Sequence, residues 1–239
     1  MKTNCVITGV TRGLGKCLSY ELKKAGHHVI GVARNDLQLK EMQDQGTIDD
    51  YVVCELGQPE QVDDLVRVVE NRYDRIDILV LNAAIQNAYH VLESTSYDGL
   101  LRKEMQVNFL SPVQLTCRLM PLLLRAKGRV VLISSVLKQA PKYHAPGYGA
   151  SKAALSNWAE NLRAQVAGEG LQVTEIIPGL IKTDMTQEAQ ESGKDPRMLA
   201  NVIVKRLDRE QIILPGARLA TALFRLWPRL LKKKLLKRP

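Results

Sequence analysis

The chain has 239 residues, of which 45% are hydrophobic and 25% charged, an ordinary globular balance that excludes a disordered or low-complexity protein. Its formal charge of +9 is concentrated in Pro215–Pro239, where Arg218, Arg225, Arg229, Lys232, Lys233, Lys234, Lys237 and Arg238 stand without a single acid, so the body is nearly neutral. Cys5, Cys17, Cys54 and Cys117 are scattered with no CxxC pair, which points away from a zinc site or a disulfide framework and toward small buried thiols in a reducing compartment.

The opening run, Met1 to Gly9, is too short for a signal-peptide core, and no apolar stretch reaches membrane-spanning length. The expected location is the cytoplasm. Strand-like and helix-like patterns then alternate. Lys2 to Thr8, His28 to Ala33, Tyr51 to Cys54, Asp77 to Leu81, Arg129 to Ser134 and Gln172 to Ile177 are short aliphatic runs, suited to strands buried on both faces. Amphipathic stretches lie between them, at Leu14–Lys24, Asp36–Gln45, Pro59–Tyr73, Leu100–Ala126 and Tyr148–Gly168. Pro59 marks a first helical turn, and Gly26 and Gly128 stand where left-handed helix caps are wanted. The alternation predicts one α/β domain, a doubly wound parallel sheet with helices on both faces, over residues 1–214. Ligands of such a sheet sit at the carboxyl ends of its strands. The polar segment Met185–Asp195 reads either as a mobile lid or as a plain surface connection.

Three local patterns carry chemistry. Thr8-Gly9-Val10-Thr11-Arg12-Gly13-Leu14-Gly15 follows the first strand and opens the first helix. Its GxxxGxG spacing departs from GxGxxG, but glycines here still allow a sharp turn and close approach of a pyrophosphate to helix N–H groups. The second strand ends in Ala33-Arg34, without the acid that binds a ribose 2′-hydroxyl. Arg34 and Arg12 instead suit a 2′-phosphate, favouring NADP(H) over NAD(H). Tyr148 and Lys152 are four apart on one helix, so the phenol and the ammonium are neighbours. The cation is expected to lower the phenol pKa toward the working range. Ser135, at the end of a strand, can hydrogen-bond a carbonyl beside the tyrosine.

TGxxxGxG, Asn82-Ala83-Ala84, Asn108, Ser135, YxxxK and Pro178-Gly179, in this order and spacing, resemble the single-domain short-chain dehydrogenase/reductase family over residues 3 to 185. The resemblance implies a Rossmann fold and an oxidoreductase that interconverts a carbonyl and an alcohol with NADP(H). Tyr148 would donate the proton, Lys152 would hold the nicotinamide ribose and depress the tyrosine pKa, and Ser135 would polarise the carbonyl. Asn108 would bind a water linking Lys152 to solvent. Asn82, with Ala83 and Ala84, would fix the sheet and the adenosine ribose. Pro178, Gly179, Ile181 and Thr183 would cradle the nicotinamide amide and phosphate, and Glu55-Leu56 would lie near the adenine. Glu55 replaces the usual aspartate, and Ile85 a common glycine, which bears on the entrance near Gln86. The glycine-rich ending of many 3-oxoacyl-carrier-protein reductases is absent. A homodimer or homotetramer through the Leu100–Ala126 and Tyr148–Gly168 helices is implied. The alternative, a non-catalytic NADP-binding regulator or scaffold, has no use for an intact Asn108–Ser135–Tyr148–Lys152 set.

Residues 215–239 form a separate tail. Leu219, Leu223, Leu226, Trp227, Leu230 and Leu231 recur at helical spacing, with Arg225, Arg229, Lys232 and Lys233 largely opposite, and Pro228 is expected to kink the helix. Two readings stand: peripheral contact with an anionic membrane, which would make a membrane-recruited reductase, or packing of the apolar part on the body. A frayed basic end is the plain reading of the last eight residues, and nucleic acid is not expected. Val136, Leu137, Leu180 and Met185 near the expected site suit a lipophilic carbonyl substrate.

Overall fold

The computed structural model describes residues 3–90, 92, 97–185, 187–228 and 236. Seven strands form one parallel sheet: β1 (Asn4–Thr8), β2 (His28–Ala33), β3 (Asp50–Val53), β4 (Ile78–Leu81), β5 (Arg129–Ile133), β6 (Gln172–Ile177) and β7 (Gln211–Ile213). Their order is β3-β2-β1-β4-β5-β6-β7. The chain winds outward from β1 in one direction and from β4 in the other, so the switch point lies between those two strands.

Each strand alternates its side chains between two cores, as a pleated strand must. In β4, Leu79 and Leu81 enter one core and Ile78 and Val80 the other; in β5, Val130 and Leu132 oppose Val131 and Ile133. The first core is covered by α3 (Pro59–Arg72), α5 (Ser111–Arg118), α6 (Met120–Ala126) and α7 (Pro146–Gln165). The second is covered by α1 (Gly13–Lys24), α2 (Asp36–Asp44) and α9 (Pro196–Val204). Leu14, Leu18 and Leu22 of α1 recur at helical spacing and are all buried, each contributing about 1.5–3 kcal/mol of apolar burial.

The predicted helix Leu100–Ala126 is broken twice. It begins earlier, as α4 (Tyr97–Met105), and widens into a π-helical turn at Gln106–Leu110 before α5. Pro112 has no N–H for the Asn108 carbonyl four residues before it, so the regular ladder cannot continue there. Pro121 does the same at the Leu119 break between α5 and α6. At the end of α6 the left-handed residue is Lys127 (φ 46°), not Gly128. Gly128 serves close packing instead: a Cβ there would lie 2.7 Å from the carbonyl oxygens of Ile76 and Asp77. Gly26 does take the left-handed cap (φ 91°).

Two elements escaped the sequence pattern. The helix α9 starts at Pro196 behind Asp195, whose side chain accepts the Arg197 N–H at 2.8 Å, a cap visible in the Asp-Pro pair. The strand β7 is only three residues long and pairs with β6 at the sheet edge. Within the predicted loop, α8 (Gln187–Ser192) forms, and the loop is closed at its root by Lys182 N–H to Lys194 O (2.8 Å) and Lys194 N–H to Leu180 O (2.9 Å).

The C-terminal helix α10 (Arg218–Leu226) buries Ala217 and Thr221 against the body, while Leu219, Leu226 and Trp227 are exposed. Arg229, Leu230, Leu231 and Lys232–Lys234, Lys237 and Arg238 of the predicted tail lie outside the described residues. Among the described residues no single helix is long and apolar enough to cross a membrane; α4 to α6 pass only as a pair bent by 60°. The four cysteines are free, with Cys5 and Cys54 buried and Cys17 half-buried; Cys117, expected to be buried, is exposed on the outer face of α5.

Candidate active site

A cavity of about 590 Å³ opens at the carboxyl ends of the strands, across the switch point. The glycine turn after β1 forms its floor. Gly9 has φ 73°, a backbone region that favours glycine, and a Cβ on Gly15 would lie 2.1 Å from the Gly9 carbonyl oxygen. The turn can therefore close onto α1 only without those side chains. Arg12 caps α1 without a side-chain bond, and the first turn holds no acid. The N–H groups and positive end of the helix dipole are left to whatever enters the cavity.

Asn82, at the end of β4, locks this turn in place. Its amide donates to the carbonyls of Thr8 (2.9 Å) and Gly9 (3.2 Å). Thr8 Oγ1 in turn accepts the N–H groups of Asn82 (3.0 Å) and Ala83 (3.1 Å). Thr11, Gly13, Leu14, Ala84, Leu56, Pro178, Gly179, Ile181 and Thr183 complete the cavity wall on this side. Arg12 and Arg34 both reach its rim. Glu55, expected beside the adenine, is paired with Arg34 at 3.3 Å.

The other end of the cavity brings Ser135, Tyr148 and Lys152 together. Ser135 follows β5, accepts the Leu137 N–H at 3.1 Å and stands near the Tyr148 phenol. Lys152 lies one helical turn beyond Tyr148, its Nζ 5.7 Å from the tyrosine ring centre. The ammonium donates to the Ile133 carbonyl at 2.7 Å. Both groups are almost fully buried. Desolvation pushes the Tyr148 phenol up to about 12, although Ser135 opposes the shift; Glu104 adds to it. Burial brings Lys152 down to about 8. Desolvation is thus the dominant influence on the phenol, and the Lys152 ammonium is turned to the Ile133 carbonyl.

Asn108 does not line the cavity. It is fully buried in the π-helical turn, where Oδ1 accepts the Ile85 N–H (2.8 Å) and Nδ2 donates to the Ile85 carbonyl (2.9 Å) and Ser151 Oγ (3.0 Å). Its side chain fastens the entrance loop to α7. The wider turn leaves room for this amide between the two elements.

A second fastening was not legible in the sequence. Glu104 is completely buried and accepts the Asn87 N–H at 2.6 Å and the Tyr89 hydroxyl at 3.0 Å. Glu104 and Tyr89 both lie against Gly147, immediately before Tyr148. A Cβ on Gly147 would lie 2.2 Å from both Glu104 Oε2 and the Tyr89 oxygen. Burial raises the Glu104 carboxyl above the usual range despite these donors. The only signal in the sequence was an acid in an otherwise amphipathic helix, which ordinarily means a solvated face.

The model of the short chain dehydrogenase family matches residues 3–194 of this sequence. This chain is a short-chain dehydrogenase/reductase. It is therefore an oxidoreductase of that family, and its relatives carry varied names. It is 34% identical over 187 residues to 11-beta-hydroxysteroid dehydrogenase A of Sesamum indicum, covering 76% of this chain and 53% of that one. The chain thus spans about half the length of that relative. It is 32% identical to the uncharacterized oxidoreductase YbbO of Escherichia coli K12, covering 82% of this chain and 72% of the relative. It is 30% identical to the 3-oxoacyl-[acyl-carrier-protein] reductase FabG of Rickettsia bellii, over 80% and 77% of the two chains. A short chain dehydrogenase from Burkholderia cenocepacia, solved in complex with NADP, superimposes with a TM-score of 0.87 at 23% identity, covering 99% of this chain and 98% of that one. The fold of this short-chain dehydrogenase/reductase is thus that of solved family members.

Proposed function

We propose that this short-chain dehydrogenase/reductase reduces a ketone or aldehyde to an alcohol with NADPH, reversibly, using Tyr148 as general acid. The observation that carries the reading is the convergence of Ser135, Tyr148 and Lys152 on the cavity whose other end is the glycine turn. The cofactor fits the residues present. Gly9 and Gly15 form a cradle that side chains would fill, α1 offers uncapped N–H groups, and two arginines stand at the rim. Bound there, the reduced nicotinamide would supply the hydride.

The chain's own residues do the rest. Gly13, Leu14 and Gly15 hold the pyrophosphate, and Arg12 and Arg34 hold the 2′-phosphate. Asn82 keeps the turn and the adenosine ribose in place, with Ala83, Ala84 and Leu56 beside it. Pro178, Gly179, Ile181 and Thr183 orient the nicotinamide end. Ser135 directs the substrate carbonyl toward Tyr148, whose high proton affinity keeps a proton on the phenol at neutral pH. Lys152 binds the nicotinamide ribose, and Asn108 acts by holding Ile85 and Ser151. Solved short-chain dehydrogenases with NADP and NADPH support the choice of coenzyme.

Val136, Leu137, Leu180 and Met185 line the mouth, which favours a lipophilic substrate. Dimers or tetramers are proposed to form through α4–α6 and α7, where Leu110 and Leu124 are exposed. The protein is proposed to act in the cytoplasm, with the tail as its peripheral membrane contact. A panel of ketones and aldehydes, followed by absorbance of NADPH and NADH in parallel, tests the reading. Turnover with NADPH preferred is expected; no turnover with either coenzyme favours a non-catalytic scaffold.

A further inference from the structure

The rim of the cavity above β2 and β3 holds an ion pair that bears on coenzyme choice. Ala33 and Val53 are register partners, so Arg34, one residue beyond Ala33, and Glu55, two beyond Val53, emerge at the same edge of the sheet. Arg34 Nη1 donates to Glu55 Oε2 at 3.3 Å. Glu55 is not a free surface acid. Its N–H donates to Gln61 Oε1 at 2.8 Å, and its other carboxylate oxygen accepts the Gly57 N–H at 3.3 Å. Its side chain is 30% exposed, against 65% for Arg34, so the acid is the fixed member of the pair and the arginine the mobile one.

We propose that Glu55 is a specificity-determining residue that competes with the coenzyme 2′-phosphate for Arg34 and so moderates the preference for NADP(H) over NAD(H). The inference rests on the NADP(H) reading given above. A 2′-phosphate binds a guanidinium best through two parallel N–H donors. In this chain one edge of that guanidinium already faces a carboxylate. The phosphate must displace Glu55 or accept a like charge beside it, and either lowers its affinity. The pair is partly exposed and therefore weak, so it tunes the exchange without blocking it. A coenzyme with a 2′-hydroxyl meets the opposite situation, because the carboxylate can accept a hydrogen bond from it. An aspartate, one methylene shorter, would hold its charge further from Arg34. The glutamate supplies the reach.

The test uses the full-length chain and binding alone: dissociation constants of NADPH and NADH by nicotinamide fluorescence, and of 2′,5′-ADP and 5′-AMP by calorimetry, at low and high salt. Glu55→Gln removes the charge and keeps the length and the oxygen that meets Gly57. It is expected to tighten NADPH and 2′,5′-ADP about three- to tenfold. NADH and 5′-AMP should stay within about twofold or weaken, and salt should shrink the gain. Glu55→Asp is expected to give part of the same gain, and serves where the glutamine variant folds poorly. An equal change for both coenzymes would mean an adenine contact and overturn the inference, as would unchanged NADPH affinity. Arg34→Ala separates the two levels. If it leaves the NADPH-to-NADH ratio unchanged, the NADP(H) reading itself fails and takes this inference with it. If it collapses the ratio while the Glu55 variants do nothing, only the role of Glu55 is wrong.

Discussion

Tyr148 and Lys152 stand one turn apart in α7, and burial moves their proton affinities in opposite senses, up to about 12 and down to about 8. A phenol held this high favours its protonated form. Tyr148→Phe is expected to lower carbonyl turnover by about 10²–10⁴-fold. NADPH binding, followed by fluorescence, should be retained. Lys152 makes a sign-determined prediction about stability. Its folded pKa lies below the ordinary 10.5, so from about pH 8 to 10.5 the unfolded chain binds more protons than the folded one. The lysine therefore costs stability below pH 8, and that cost disappears as the pH rises. Urea denaturation of wild type and Lys152→Met should show the wild type gaining on the variant between pH 8 and 10. A constant difference across that range would contradict the burial of the ammonium.

At the scale of elements, α7 is held at two places by side chains from the segment before it. Asn108, in the π-helical turn, clasps the Ile85 backbone and Ser151; Glu104, at the end of α4, bonds Tyr89, and the oxygens of both lie against Gly147. These bonds tie the entrance loop and α7 together. Tyr89→Phe removes the donor to the buried Glu104 Oε2 and is expected to cost about 1–3 kcal/mol. Thermal denaturation of the variant checks it. Gly147→Ala should be worse than an ordinary glycine replacement in a helix, because its Cβ would meet two oxygens at 2.2 Å. A variant as stable as wild type would show that the clamp yields freely. The helix boundaries in this region were illegible for one reason. Pro112 and Pro121 interrupt a stretch whose apolar periodicity runs on regardless, and hydrophobic pattern reports faces, not breaks.

At the scale of the molecule, the sheet carries the cavity at its carboxyl edge and the C-terminal helix leaves the body with its apolar residues uncovered. Leu219, Leu226 and Trp227 are exposed on α10, while Thr221 alone of its central residues turns fully inward. Leu223 and Phe224 between them are half-buried, so the membrane-contact reading is put to a binding test. The full chain is expected to sediment with anionic liposomes in a salt-sensitive way, and a chain ending at Gly216 is expected not to. Equal sedimentation of the two would remove the idea.

Much of this was legible in the residues. The alternation of aliphatic runs and amphipathic stretches determined a parallel α/β sheet, because strands buried on both faces must be apolar throughout. Thr8 to Gly15, Ser135, Tyr148 and Lys152 announced their neighbourhood through spacing, since the carboxyl ends of parallel strands bring such segments to one edge. The strand β7 was too short for periodicity to register. What the tertiary structure alone decided were the pairings between distant residues. Arg34 meets Glu55 because β2 and β3 lie in register, and Glu104 meets Gly147 because α4 packs on α7. The proton affinity of Tyr148 belongs to the same class. A cation four residues away is visible in sequence, but the depth of burial that raises the phenol depends on everything packed around the pair.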